Sequence, residues 1–283
     1  MILITGGAGQ LAQEFSRFFK KKGIDFIALK RAELDITDFY KVREFVKDNG
    51  VTLIINCAAY NFVDSAEEKQ ELAYSVNAYA VQNLAKVAKE CKVEFVTYST
   101  DFVFDGKKLG PYSEEDEVNP ISVYGKSKAL GERLALDANE KTYILRVSWV
   151  FGEGGSNFIE QVKNWMNRDR IALASDQTSS PTSTIDIVEL TMRVLESKKY
   201  GIYHVSGGGE ASRYEQGRYI LEKLGYKGEI TEARCLDFTP YDIRPKYSKL
   251  SCSKIENLLG VEIPSWKSRT DQYLDFCRKK DYN

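Results

Sequence analysis

The sequence predicts an α/β chain: a doubly wound parallel sheet followed by a smaller C-terminal lobe. Three observations carry this. Short apolar runs (Met1–Ile4, Ile24–Leu29, Thr52–Asn56, Val93–Tyr98, Tyr143–Ser148) read as strands and alternate with segments of helical periodicity. Strands separated by helices imply a parallel sheet, wound right-handedly, with helices on both faces. A glycine cluster, Gly6-Gly7-Ala8-Gly9, follows the first run at once, and Leu11, Phe15, Phe18 and Phe19 then recur at helical spacing. Beyond Ser148 the alternation loosens, which marks the second lobe. We expect residues 1–150 to form the first domain, with 184–206 returning to it, and 151–283 to form mainly the substrate lobe.

Each element has a local reason. Gly7-x-Gly9-x-x-Ala12, between a strand and a helix, is a dinucleotide fingerprint, so the expected sheet is Rossmann-like. Early glycines permit the tight turn, Gly9 lets backbone approach a pyrophosphate, and small Ala12 lets helix pack close on strand. The helix N-terminus offers free N–H groups and a positive dipole end. Thr37 or Asp38 caps the next helix, whose buried face is Val42, Phe45 and Val46. A long helix is expected from about Leu72 to Lys89 and another from Ser122 to Leu136. Asp101 to Pro120 is long and rich in Gly, Pro and acid, which argues for function or mobility. In the second lobe, helices are expected near Phe158–Asn167, Ile185–Glu196, Tyr214–Leu224, Ser251–Leu259 and Arg269–Lys279.

Composition narrows the chemistry. The 283 residues are 43% hydrophobic, enough for a substantial core, and the net charge of −1 argues against nucleic acid or an anionic membrane as partner. A single histidine, His204, argues against a zinc site or a Ser-His-Asp triad, so no metal is expected. Five cysteines without a CxxC pair suit reduced thiols. The N-terminus opens directly on a strand and no apolar run could span a bilayer, so a cytoplasmic protein without a membrane partner is expected. The oligomeric state is left open; a homodimer is compatible with everything above.

Tyr124-Gly-Lys-Ser-Lys128 puts a phenol and an ammonium on one helix face. Tyr219 and Lys223 share that spacing and read as a surface pair. Position separates them: Tyr124 lies in the helix after the fourth strand, which ends in Ser99-Thr100-Asp101, and the carboxyl ends of parallel strands line the ligand crevice. Thr100, Tyr124 and Lys128 can therefore converge on a bound cofactor. A tyrosine is protonated at neutral pH and can donate to a nascent alkoxide. A neighbouring ammonium stabilises the phenolate left behind or bonds the nicotinamide ribose, and Thr100 orients the substrate oxygen. Lys30-Arg31, at the end of the second strand, suits a ribose 2′-phosphate, so NADPH is expected in preference to NADH; the alternative is a pair of solvated charges beside Glu33. Arg244 suits a nucleotide diphosphate, or else a surface ion pair with Asp242.

These stretches resemble the extended branch of the short-chain dehydrogenase/reductase family. Within it they resemble the group that reduces the C4 ketone of dTDP-6-deoxy-L-lyxo-4-hexulose (dTDP-4-dehydro-L-rhamnose) to dTDP-L-rhamnose, a cell-surface polysaccharide precursor. The resemblance rests on Gly6–Ala12, Leu34–Asp38, Asn56–Tyr60, Ser99–Gly106, Val123–Lys128, Arg146–Gly152, Asp176-Gln177 and Arg244–Ser248. It implies Tyr124 as proton donor, Lys128 as its partner, and Thr100 and Asp101 on the sugar. Gly6, Gly9, Gln10 and Leu11 would hold the pyrophosphate, Asp35 and Ile36 the adenine, and Ala58, Ala59, Tyr60 and Asn61 the middle of the cofactor. Trp149 would pack on the dTDP-sugar. Asp35 also reads as a helix cap, and Trp149 as a core aromatic. Phe102 stands where the family often has Tyr, and Asn61-Phe62 and Ser65 where Thr-Ala and Lys are common. Two other readings stay open: another nucleotide-sugar reductase or epimerase, and a cofactor-binding regulatory subunit resembling the beta subunit of methionine adenosyltransferase.

Overall fold

The computed structural model describes residues 1–281. β1 (Ile2–Thr5) enters α1 (Gln10–Lys22) through the glycine turn; α1 buries Ala12, Phe15 and Phe19 and stops at Gly23, which takes the left-handed conformation. β2 (Phe26–Leu29) leads to α2 (Phe39–Asp48), where Asp38 accepts the Lys41 N–H at 3.1 Å and so is the cap. After β3 (Leu53–Asn56) come α3 (Val63–Glu68) and α4 (Gln70–Tyr74). The single long helix expected from Leu72 is interrupted here: one π-helical turn, Ser75–Tyr79, precedes α5 (Ala80–Cys91). β4 (Glu94–Thr100), a 3₁₀ turn at Asp101–Val103, α6 (Val123–Ala138) and β5 (Thr142–Val147) follow.

The remaining elements are β6 (Val150–Phe151), α7 (Phe158–Asn164), β7 (Arg170–Ala174), β8 (Thr178–Ser179), β9 (Thr182–Ser183), α8 (Thr184–Ser197), β10 (Gly201–Val205), β11 (Ala211–Ser212), α9 (Arg213–Leu224), β12 (Glu229–Ala233), α10 (Ser253–Leu259) and α11 (Trp266–Asp281). Among the described residues no helix is long and apolar enough to cross a membrane.

Six strands form one parallel sheet in the order β10-β5-β4-β3-β1-β2. The strand order reverses between β1 and β3, which is where open α/β sheets bind ligands. Phe15 and Phe19 of α1 pack with Ile187, Val188 and Val194 of α8 on one face. Val42 and Val46 of α2, Leu84 of α5 and Ala135 of α6 cover the other. A separate apolar cluster (Phe151, Ile159, Val162, Ile171, Leu173, Ile220, Leu221, Leu274) holds the C-terminal elements together. The Asp101–Pro120 segment is packed: Phe104 stacks on Tyr112 at 4.2 Å, and Tyr112 exchanges backbone hydrogen bonds with Lys249 and Ser251. Its length is explained by this bridge to the C-terminal segment.

Candidate functional site

The carboxyl ends of β1, β2 and β3 open on a cleft of about 440 Å³. Gly6, Gly9, Lys30, Arg31, Asp35, Ile36, Ala58, Ala59, Tyr60 and Asn61 line it, which brings together most of the residues expected to touch a cofactor. Gly6 sits at φ 67°, and a Cβ there would lie 2.7 Å from the Ala58 nitrogen. Asn56 ties the strand ends below: its Oδ1 accepts from Thr5 Oγ1 (2.7 Å) and its Nδ2 donates to Thr97 Oγ1 (3.0 Å). The first turn of α1 has no side-chain cap, so its N–H groups face the turn. Leu11 packs its side chain into the core and can meet a ligand there only through backbone.

At the edge of this cleft Arg31 donates to Asp35 at 3.0 Å. Asp35 also accepts the N–H and hydroxyl of Thr37, which closes a local turn; the cap of α2 is Asp38, three residues on. Glu33 accepts the backbone N–H of Lys30 at 2.8 Å, and no carboxylate among the described residues pairs with the Lys30 ammonium. A dinucleotide carrying an extra phosphate fits this donor set: Lys30 and Arg31 at one end, helical N–H groups and Gly6 in the middle. Gln10 lines the adjoining cleft; its Nε2 donates to the Val150 carbonyl at 3.2 Å, and its Oε1 is buried without a partner among the described residues.

That second cleft, about 650 Å³, is lined by Thr100, Asp101, Tyr124, Trp149 and Arg244, and also by Gln10 and Asn61. Asn61 lines both clefts. Tyr124 reaches it because α6 begins at a fixed point: Ser122 Oγ accepts the Gly125 N–H (3.0 Å) and Glu67 accepts the Val123 N–H (2.7 Å). Gly125 then lets the 3₁₀ turn after β4 lie against α6, since a Cβ there would be 2.2 Å from the Phe102 oxygen. Phe102, lacking a hydroxyl, meets Tyr124 edge-on at 5.7 Å. Burial pushes the Tyr124 phenol up to about 12, with Thr100 opposing and Asp101 adding to the rise.

Lys128 lies one turn deeper and does not line the cleft. Its ammonium donates to the Tyr98 carbonyl at 2.6 Å, and burial lowers its pKa to about 8 against the opposing pull of Glu132. Asp101 is buried and pushed up to about 6, although Ser248 (2.6 Å), Ser179 (3.0 Å) and Thr100 (3.1 Å) donate to it. His204 is buried beside Arg146 and the Tyr112 carbonyl; burial holds its pKa down near about 3, so it is neutral and structural.

Three side chains that sequence reasoning did not single out shape the site. Asn77, in the π turn, accepts the Tyr60 N–H (2.8 Å), donates to the Tyr60 carbonyl (2.9 Å) and donates to Ser127 (3.0 Å). It joins the cofactor cleft to the helix of Tyr124, and π turns recur at functional sites for such re-aimed side chains. Asp64 receives Arg244 at 2.7 and 2.8 Å, so the alternative ion pair is made with Asp64 across the molecule rather than with Asp242. Arg213 stacks 3.6 Å from the centroid of Trp149. Its readable trace was the Ser212-x-x-Glu215 capping box, which puts Arg213 first in α9. Tyr219 and Lys223 both bond Asp271, a surface pair as read.

The sheet order, with a glycine turn at its switch point, makes this a Rossmann-like nucleotide-binding chain. More narrowly, the family model described as the RmlD substrate binding domain matches residues 1–278, and the chain belongs to that family. The dTDP-4-dehydrorhamnose reductase of Aggregatibacter actinomycetemcomitans is 38% identical over 283 aligned residues, 94% of this chain and 95% of that protein. The crystal structure of a dTDP-4-dehydrorhamnose reductase from Clostridium acetobutylicum has a TM-score of 0.94 at 36% identity, covering 98% of this chain and 99% of that one. That of Bacillus anthracis, in complex with NADP, has a TM-score of 0.92 at 31% identity, covering 96% and 98%.

Proposed function

We propose that this chain reduces the C4 ketone of dTDP-4-dehydro-L-rhamnose to dTDP-L-rhamnose, using NADPH. The observation that carries the reading is that Asn61 lines both clefts, with Thr100, Asp101 and Tyr124 on the wall of the second. Relatives named for this reaction, one holding NADP, support it. Residues 1–150 with 184–206 are the dinucleotide-binding part, and the rest mainly holds substrate. Five unpaired cysteines suit a reaction carried out in the cytoplasm.

The resemblance implies the roles, and the linings of the two clefts support most of them. Gly6, Gly9, Gln10 and Leu11 hold the pyrophosphate; Lys30 and Arg31 hold the 2′-phosphate; Asp35 and Ile36 flank the adenine; and Ala58, Ala59, Tyr60 and Asn61 line the middle. When bound, the nicotinamide supplies a hydride. Tyr124, kept protonated by its burial, donates the proton to the oxygen that becomes the hydroxyl. Lys128 holds a positive charge one turn below, which favours the phenolate after transfer. Thr100 and Asp101 hold the sugar, Trp149 packs on it, and Arg244 adds positive charge toward the nucleotide.

The test mixes the protein with NADPH and the dTDP-keto-sugar and follows cofactor absorbance. We expect net consumption matched to product, and a loss of about 10²- to 10⁴-fold in kcat for Tyr124→Phe. NADPH binding without consumption would overturn the reductase reading in favour of a regulatory subunit. Turnover of the sugar with no net consumption would point to an epimerase. Equal rates for wild type and Tyr124→Phe would remove Tyr124 from its role.

A further inference from the structure

The substrate cleft contains two arginines in different electrostatic states. Arg244 is paired with a counter-charge through its bidentate contact with Asp64. Arg213 has no such counter-charge: among the described residues no carboxylate pairs with it, and its hydrogen bond runs from Nη1 to the Gln216 amide oxygen at 2.9 Å. Its guanidinium lies 3.6 Å from the ring centroid of Trp149 and 4.6 Å from that of Phe158. Aromatic faces compensate a buried cation only in part. Burial lowers its pKa to about 9, so it stays charged at neutral pH.

The backbone under this stack is unusual. Trp149 is held at φ 42°, a left-handed conformation that a bulky residue adopts only where its surroundings require it. The Trp149 carbonyl accepts the Thr182 N–H at 3.2 Å, which anchors that conformation. The ring is thereby turned against Arg213. Two aromatic rings contact the guanidinium, and its remaining N–H donors stay available to a ligand's oxygens.

We infer that Arg213 takes the diphosphate of the nucleotide sugar and is the principal phosphate ligand of this cleft; this rests on the reading of the cleft as a nucleotide-sugar site. A planar donor set without a counter-ion matches phosphate oxygens bidentately. Asp101, near enough to act on the Arg213 charge, has its oxygens occupied by Ser179, Ser248 and Thr100 and does not compete for the donors. Arg244, already paired, is the secondary charge.

The experiment titrates NADP-saturated protein with dTDP, with thymidine and with a dTDP-hexose whose sugar is uncharged, for wild type, Arg213→Gln and Arg213→Lys. We expect Arg213→Gln to weaken dTDP roughly tenfold to a hundredfold, Arg213→Lys to weaken it less, and thymidine and NADP affinities to stay as in wild type. Unchanged dTDP affinity in Arg213→Gln overturns the inference. So does a loss confined to the dTDP-hexose, which would assign Arg213 to the sugar. Should Arg213→Gln also lose NADP, the fold is damaged and Arg213→Lys carries the same comparison. Wild type that binds NADP but not dTDP overturns the nucleotide-sugar reading itself, and this inference with it.

Discussion

Arg244, in the segment after β12, grips Asp64 at the start of α3 through two hydrogen bonds of 2.7 and 2.8 Å. Thr239 donates to the same carboxylate at 2.8 Å, and Tyr241 reaches Glu68 on the same helix. The segment after β12 is thus tied to α3, and Asp64, Thr239 and Arg244 all line the second cleft. The Asp64 side chain is 41% exposed, so solvent screens the pair. A double-mutant cycle with Asp64→Ala and Arg244→Ala should give a coupling of about 1 kcal/mol in urea unfolding. Arg244→Ala should also raise the KM for nucleotide sugar several-fold and leave that for NADPH near wild type. An unchanged sugar KM would end the substrate role of Arg244.

The pH dependence follows from the two groups of α6. Reduction needs the Tyr124 phenol protonated and the Lys128 ammonium charged. The phenol, at about 12, stays protonated through the working range. The ammonium, at about 8, is charged below that value and loses its proton above it. The kcat/KM for reduction should therefore be level near neutrality and fall as pH rises through about 8. In Lys128→Met the rate should drop by roughly 10²-fold and this alkaline limb should vanish. A limb that survives the substitution belongs to another group.

Cofactor choice should depend on Arg31. It is exposed and bonded to Asp35, and it can bond a 2′-phosphate only by turning from that carboxylate or sharing its donors. Arg31→Ala should raise the KM for NADPH by roughly tenfold, the worth of one charge-assisted contact, and change that for NADH little. Wild-type kcat/KM should favour NADPH; a strong preference for NADH would refute the assignment.

Asp101 should make stability pH-dependent in an unusual direction. Its carboxyl is pushed up to about 6 in the folded chain by burial, against about 3.9 unfolded. The folded state therefore binds the proton more tightly. The stabilisation is complete below about pH 4 and is lost as pH rises through about 6. Asp101→Asn cannot titrate, so its stability relative to wild type should improve by about 2 kcal/mol between roughly pH 4 and pH 7. Urea unfolding at the two pH values measures this. A difference that does not change with pH would show that the three hydroxyl donors hold the carboxylate at an ordinary pKa.

Much of the site was legible because it is local. β1, the glycine turn and α1 are consecutive, and the turn needs Gly6 where it passes Ala58. Tyr124 and Lys128 are one helical turn apart, and their place after β4 follows from the alternation of strands and helices. Residue order alone was enough for the sheet, the cofactor turn and the phenol–ammonium pair, because period and spacing act between near neighbours.

Which charges meet was settled by three-dimensional packing. Arg244 finds Asp64 rather than the adjacent Asp242, across 180 positions of chain. Among the described residues no carboxylate pairs with Arg213, which lies against two rings, and Asn77 reaches Tyr60 from a π turn that no periodicity announced. The physical reason is that a side chain's partner is set by how whole elements pack. Close approaches such as Phe102 against Gly125 fix that packing to a few tenths of an ångström, a scale to which residue spacing along the chain is blind.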